Sequence, residues 1–363
     1  MRKVFFSICC MCVLFGCAQQ PGFTIHGEVD GMEGDTLFLV ARGQAGQWDT
    51  LGMTAVESGK FLFGGNVSQP LIAHLQGKSR RQVLPLFLEN QSFQVHLNKE
   101  RFDRSEITGG VLQSSYNEFM AQKTEIYKEM PGIEAAFTEA RKAGDRETCR
   151  QMIEKSDALD SIYKEAEMHF LRENGNTLVG VYLVYKQDPR MRFDRLSPRY
   201  DLLSEEVKQS PYGQIVTQRY RDAKITAVGE IAPDFTLLTP EGDSLSLHSL
   251  KAKVKILDFW ASWCGPCRAE NPKVVAIYNK YKNKGLEIIS VSLDDKREAW
   301  VEAIRKDGMT WKHVSDLKGW QSAAAQLYKI SSVPSIFVLD SENRIVGSYL
   351  RGQRVEECIA GLL

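Results

Sequence analysis

The sequence carries no excess charge of either sign, with 46 Lys and Arg against 46 Asp and Glu in 363 residues. That balance removes the general electrostatic argument for a nucleic-acid partner or an anionic membrane surface. Long apolar runs are lacking too: residues 4–15, behind Arg2 and Lys3, form a run too short to cross a bilayer. The six histidines show no metal-ligand spacing, and no metal or cofactor is expected. Cysteine is sparse: of eight, three (Cys9, Cys10 and Cys12) fall in the N-terminal run, so a disulfide-stapled scaffold is excluded while one redox pair is not. No internal repeat or low-complexity tract stands out. With 43% hydrophobic and 25% charged residues, the chain reads as globular, long enough for two domains and a connecting piece.

The N-terminal run reads as a processing segment, and it ends in Leu14-Phe15-Gly16-Cys17. This resembles the lipobox of bacterial lipoproteins. The resemblance implies removal of residues 1–16, a lipid anchor on Cys17 and a periplasm-facing place in the cell envelope; Ala18 after Cys17 suggests the outer membrane. A plain signal peptide cleaved elsewhere is the alternative.

Residues 17–110 alternate strand-like runs with Gly-rich turns, at residues 23–27, 36–40, 61–63 and 93–97. Phe93, Val95 and Leu97 alternate with Gln94 and His96, so an all-β domain is expected, a small antiparallel sandwich or barrel. Residues 111–224 turn helical and connect the domains. Within them Ile153, Leu159, Ile162, Tyr163, Ala166 and Phe170 fall near helical spacing, as a core-facing stripe does. Pro189, Pro198 and Pro211 punctuate the later part into short elements. Residues 225–363 alternate strands with helices, as an α/β domain with a mostly parallel or mixed sheet requires.

In that last part Cys264-Gly265-Pro266-Cys267 sits where the apolar strand at residues 254–260 ends and a helix begins. Backbone N–H groups and the helix dipole favour a negative sulfur there, so Cys264 is expected to have a depressed pKa and to attack. Cys267 returns to the same face of the helix three residues on and is placed to resolve a mixed disulfide. Asp258 is a carboxylate inside an apolar strand; burial should raise its pKa into the range useful for proton transfer with Cys267. An ordinary Asp satisfied at a strand end is the alternative. Trp260 and Trp263 flank the motif, and Trp263 would shield Cys264 from water or simply pack. Cys149 and Cys358 read as buried inert thiols.

Asp258-Phe259-Trp260 before Trp263-Cys264-Gly265-Pro266-Cys267, followed by Pro272, resembles thioredoxin, and the surroundings resemble its TlpA/ResA branch. Gly229-Glu230-Ile231-Ala232-Pro233-Asp234-Phe235-Thr236-Leu237 is similar to that branch's added hairpin. The resemblance implies a cis peptide at Val333-Pro334, beside the cysteines and along the client backbone, with Trp263, Gly265 and Pro266 on the same rim. It implies an acidic role for Glu270, in proton handling or in complementing the helix dipole. Residues 23–110 resemble the β-rich domain of unknown function that precedes thioredoxin domains in envelope lipoproteins.

The expected activity is thiol–disulfide exchange, reducing disulfide-bearing envelope proteins, with recharging by a membrane electron donor of the thiol-carrier type. One rival is a peroxidase of the AhpC/TSA type, since Ala232-Pro233-Asp234-Phe235 is shared with it; Cys264 stands where that motif wants threonine. A zinc site lacks a second pair of ligands. A ligand-binding lipoprotein with an inactive thioredoxin part is opposed by intact Cys264, Cys267, Asp258 and Pro334.

Overall fold

The computed structural model describes residues 22–79 and 82–363; the signal-like segment and Cys17 lie outside them. The chain divides into two compact units, one running to Ala166 and including Thr177–Val179, the other made of Glu167–Asn176 and Gly180–Leu363.

In the first unit eight strands come first: β1 (Phe23–Val29), β2 (Thr36–Arg42), β3 (Trp48–Ala55), β4 (Lys60–Gly65), β5 (Leu71–Gln76), β6 (Val83–Leu88), β7 (Ser92–Leu97) and β8 (Glu106–Thr108). They make two four-stranded sheets, ordered β4-β1-β7-β8 and β3-β2-β5-β6. Ile25, Phe93, Val95 and Leu97 from one sheet and Leu37, Leu39, Leu75 and Leu86 from the other share one core, as in a sandwich. The period-two reading of β7 holds, every second residue being buried. One correction concerns direction: β1 and β7 run parallel, from Thr24 beside Ser92 to Val29 beside Leu97. Alternation marks which face is buried and carries no information about the direction of a partner distant in sequence.

Three helices follow, α1 (Val111–Ile126), α2 (Met130–Ala143) and α3 (Arg146–Asn174), and the division between units falls within α3. The stripe expected on α3 is corrected in part. Leu159, Tyr163, Ala166 and Phe170 are half-buried, but Ile153 and Ile162 are about half exposed. The sheltered face is offset and takes in Met152 and Ser156, which the apolar pattern alone does not single out.

In the second unit the end of α3 is followed by α4 (Leu178–Lys186), α5 (Phe193–Tyr200), α6 (Glu205–Lys208) and α7 (Pro211–Lys224). Buried Glu167 accepts from Arg199 at 2.8 Å, tying α3 to α5, and the Tyr200 and Tyr220 rings stack 4.1 Å apart between α5 and α7. Pro198 does not break α5 but lies inside it, whereas Pro211 opens the first turn of α7, where its missing N–H costs nothing.

The remainder is β9 (Thr236–Leu238), β10 (Ser244–Ser246), β11 (Val254–Trp260), α8 (Gly265–Tyr281), β12 (Leu286–Ser292), α9 (Arg297–Asp307), β13 (Lys312–Val314), α10 (Ala323–Leu327), β14 (Ser335–Asp340), β15 (Ile345–Leu350) and α11 (Gln353–Ala360). β9 and β10 pair as a hairpin. The other five strands form a mixed sheet ordered β13-β12-β11-β14-β15, parallel from β13 to β11 and antiparallel through β14 and β15. All seven residues of β11 are buried, as a central strand covered on both faces must be. This is the expected thioredoxin-like α/β architecture.

Candidate active site

The end of β11 is fastened before the cysteines begin. Asp294 accepts from Ser262 through both its N–H, at 2.9 Å, and its hydroxyl, and from Ser292 Oγ at 2.6 Å. The loop from Ala261 to Trp263 is therefore held against the strand-end of β12.

Cys264 caps α8: its sulfur accepts from the N–H of Cys267 at 3.1 Å, and Pro266 occupies the first turn. The two sulfurs are joined in a disulfide across that turn. Cys264 is 5% exposed and Cys267 1%, so Cys264 is the more accessible of the two. The helix N-terminus stabilises negative charge on Cys264 once the bond is reduced.

Opposite the pair, Val333-Pro334 is cis, and the Val333 carbonyl oxygen lies 3.6 Å from Cys264 Sγ, near enough to accept from the reduced thiol. Val333 is half-buried and Pro334 buried. Gly265 and Pro266 are exposed beside Cys264, and a side chain added at Gly265 would meet open space. Trp263 is 54% exposed and pairs with Trp320 at 6.1 Å between ring centroids. Trp260 is not on this rim: it is fully buried in the core, because β11 directs it inward.

Asp258 is 3% exposed and lies in register with Ser290 on β12. Burial pushes its carboxyl up to about 7; the Ser290 hydroxyl donating at 3.1 Å pulls it down, and the negative charge of Glu270 pushes it up. Glu270 accepts from the N–H of Gly352 at 2.6 Å and from Lys273 at 3.1 Å. Gly352 has φ +56, a backbone conformation that favours glycine, so Glu270 braces the turn into α11.

Sequence reasoning missed three supports of this site. Ser290 is a polar residue between Ile289 and Val291 in β12, a signal that was visible; Trp311 donates to its hydroxyl at 2.9 Å. Arg351 donates to the Pro334 carbonyl at 3.1 Å, and nothing local in the sequence marks it. Asp294 fastens the loop before Cys264, and only the fold brings it there. Cys149 and Cys358 are free and half-buried rather than buried; burial pushes the Cys358 thiol up. Among the described residues no group of three or more His, Cys, Asp or Glu is arranged to hold a metal ion.

Residues 228–348 match the AhpC/TSA family, and residues 23–116 match DUF4369, a domain of unknown function. The chain is 31% identical over 144 residues to the thiol-disulfide oxidoreductase ResA of Bacillus thuringiensis, spanning 40% of this chain and 81% of that protein. It is 36% identical over 135 residues to ResA of Oceanobacillus iheyensis, spanning 36% and 69%. The chain belongs to the ResA-like thiol-disulfide oxidoreductases. Among solved structures, the thioredoxin domain of a thiol-disulfide oxidoreductase from Bacteroides vulgatus is 35% identical over 37% of this chain and 96% of that one, with a TM-score of 0.36. The expected thiol–disulfide oxidoreductase activity is borne out by these relatives, as is the β-rich domain of unknown function before the ResA-like part. The AhpC/TSA match fits the shared Ala232-Pro233-Asp234-Phe235 opening, but the relatives' activity is disulfide exchange and Cys264 occupies the place of the peroxidase threonine.

Proposed function

We propose that the reduced chain donates two electrons to disulfides of cell-envelope proteins. The Cys264 thiolate attacks one client sulfur, forming a mixed disulfide and releasing the other client sulfur as a thiolate. Asp258 takes the proton of Cys267, whose thiolate then attacks Cys264 Sγ, releasing the second client thiol and leaving Cys264–Cys267 oxidised. Glu270 acts through its charge on Asp258 and its hold on Gly352, without touching the sulfurs. Trp263, Gly265, Pro266, Val333 and Pro334 receive the client chain. The observation that carries this reading is the disulfide across the first turn of α8, with the more accessible sulfur beside the Val333 carbonyl.

The reductive direction rests on the Gly265-Pro266 dipeptide, and a membrane thiol carrier returns the electrons. A potential near thioredoxin's, about −270 mV, supports it; one near −120 mV would reverse it. A lipid anchor on Cys17 would keep the protein at the outer membrane facing the periplasm, which the mass of the N-terminal peptide from purified envelopes tests. We assign residues 17–110 to the β-rich domain, 111–224 to the helical connection and 225–363 to the redox domain.

Replacing Cys267 by Ala is expected to trap clients on Cys264, with adducts identified by mass spectrometry of envelope extracts. Recovering none while Cys264 still alkylates would overturn the proposal in favour of a ligand-binding role.

A further inference from the structure

A cleft of about 850 Å³ opens in the second unit between the helical segment and the redox sheet. One wall comes from the 188–194 loop and α7, outside the residues that match the AhpC/TSA family; the other comes from β15 and the chain at 329–332. Ser331 and Ser332 lie on its edge, are exposed, and lead directly into Val333, whose carbonyl faces Cys264. Along the chain, the cleft's lining at Ser332 is thus one residue from Val333 and the redox centre.

Its lining has features that packing alone does not call for. Ile336 pairs with Leu350 and Phe337 with Ser348, so Tyr349 is the extra residue of a bulge, with φ +54. Bulges re-aim side chains, and strained backbone collects at binding sites. Lys329, also on the lining, has φ +53. The Arg192 guanidinium sits 5.7 Å over the Tyr349 ring while holding Asp194 at 2.8 Å. Arg190, Arg219 and Lys329 likewise have partners, in Asp188, the Tyr185 carbonyl and Asp222. The cations are already engaged, so the cleft is not built for a bare anion. Its lining mixes apolar residues such as Met191 and Val346 with polar ones such as Ser348, and its volume suits several side chains.

We infer that this cleft takes an extended segment of the client polypeptide, a few residues from the cysteine under attack. An extended chain advances about 3.3 Å per residue, so a client lying along Val333 reaches Ser331 in about two residues. The inference rests on the disulfide-exchange reading and adds to it a preference for polypeptide disulfides over small ones.

The test uses the reduced full chain and cysteine peptides presented as mixed disulfides with 2-mercaptoethanol, with six residues added on one side of the cysteine, on the other, or on neither. The measured quantity is the ratio of the rate constant for an extended probe to that for cysteine alone. We expect at least a tenfold gain from extension on one side and less than twofold on the other. In Ser348→Trp and Met191→Trp, which fill the cleft from opposite walls, the tenfold gain falls below twofold. Equal gains on both sides, no gain, or a gain that both variants retain would overturn the inference while leaving the disulfide-exchange reading intact. Failure to react even with the cysteine probe would overturn both.

Discussion

Ser290 and Asp258 face each other across the parallel pair β12 and β11, the serine hydroxyl donating to the carboxylate at 3.1 Å. The serine is itself held by Trp311 Nε1 at 2.9 Å, so the carboxylate has a fixed partner inside the core. At about 7, Asp258 can both take and return a proton near neutral pH, as exchange in either direction requires.

Replacing Asp258 by Asn should slow the second step about 10²-fold and abolish the rise of its rate with pH through about 7, measured by quenched release of a client thiol. The same substitution has a stability signature. An unfolded Asp loses its proton near pH 4, whereas the folded one keeps it to about 7, so the native chain loses stability as pH rises between those values. The loss is on the order of 4 kcal/mol when complete. Denaturant unfolding should show this decline in the natural protein, and Asp258→Asn should flatten it and be the more stable at pH 8.

Ser290→Ala removes the bond that pulls Asp258 down. The inflection in the pH–rate profile should move above its natural position, and the decline in stability should extend to higher pH. An unmoved inflection would mean that the hydroxyl does not bear on this carboxylate.

How much of this was legible follows from what each residue's signal depends on. The all-apolar run of β11, the alternation in β7 and the capping position of Cys264 are local patterns, and each appears where the residues place it. β3 was not legible: most of its residues, Trp48 and Leu51 among them, face solvent, so no buried alternation marks it. The direction of β7 beside β1 and the approach of Arg351 to Pro334 depend on partners distant in sequence, which no local period encodes.

His313 provides the opposite pH response. It is buried between Trp260 and Trp311, ring centroids 6.0 and 5.6 Å away, and burial pushes its imidazole down to about 3 against a weaker upward pull from the Met309 backbone. An unfolded histidine takes up a proton near pH 6.5, so stability falls as pH drops from there towards 3. His313→Leu should remove much of this acid decline in urea unfolding between pH 7 and 4. An unchanged decline would place the acid sensitivity elsewhere.

The central claim is that Cys264 is the attacking sulfur, and competitive alkylation of the reduced chain tests it most directly. Brief treatment with iodoacetamide at pH 7, followed by peptide mass spectrometry, should label Cys264 at least tenfold faster than Cys267, because the helix N-terminus favours its thiolate and its sulfur is the more accessible. Equal labelling, or labelling of Cys267 first, would contradict the account.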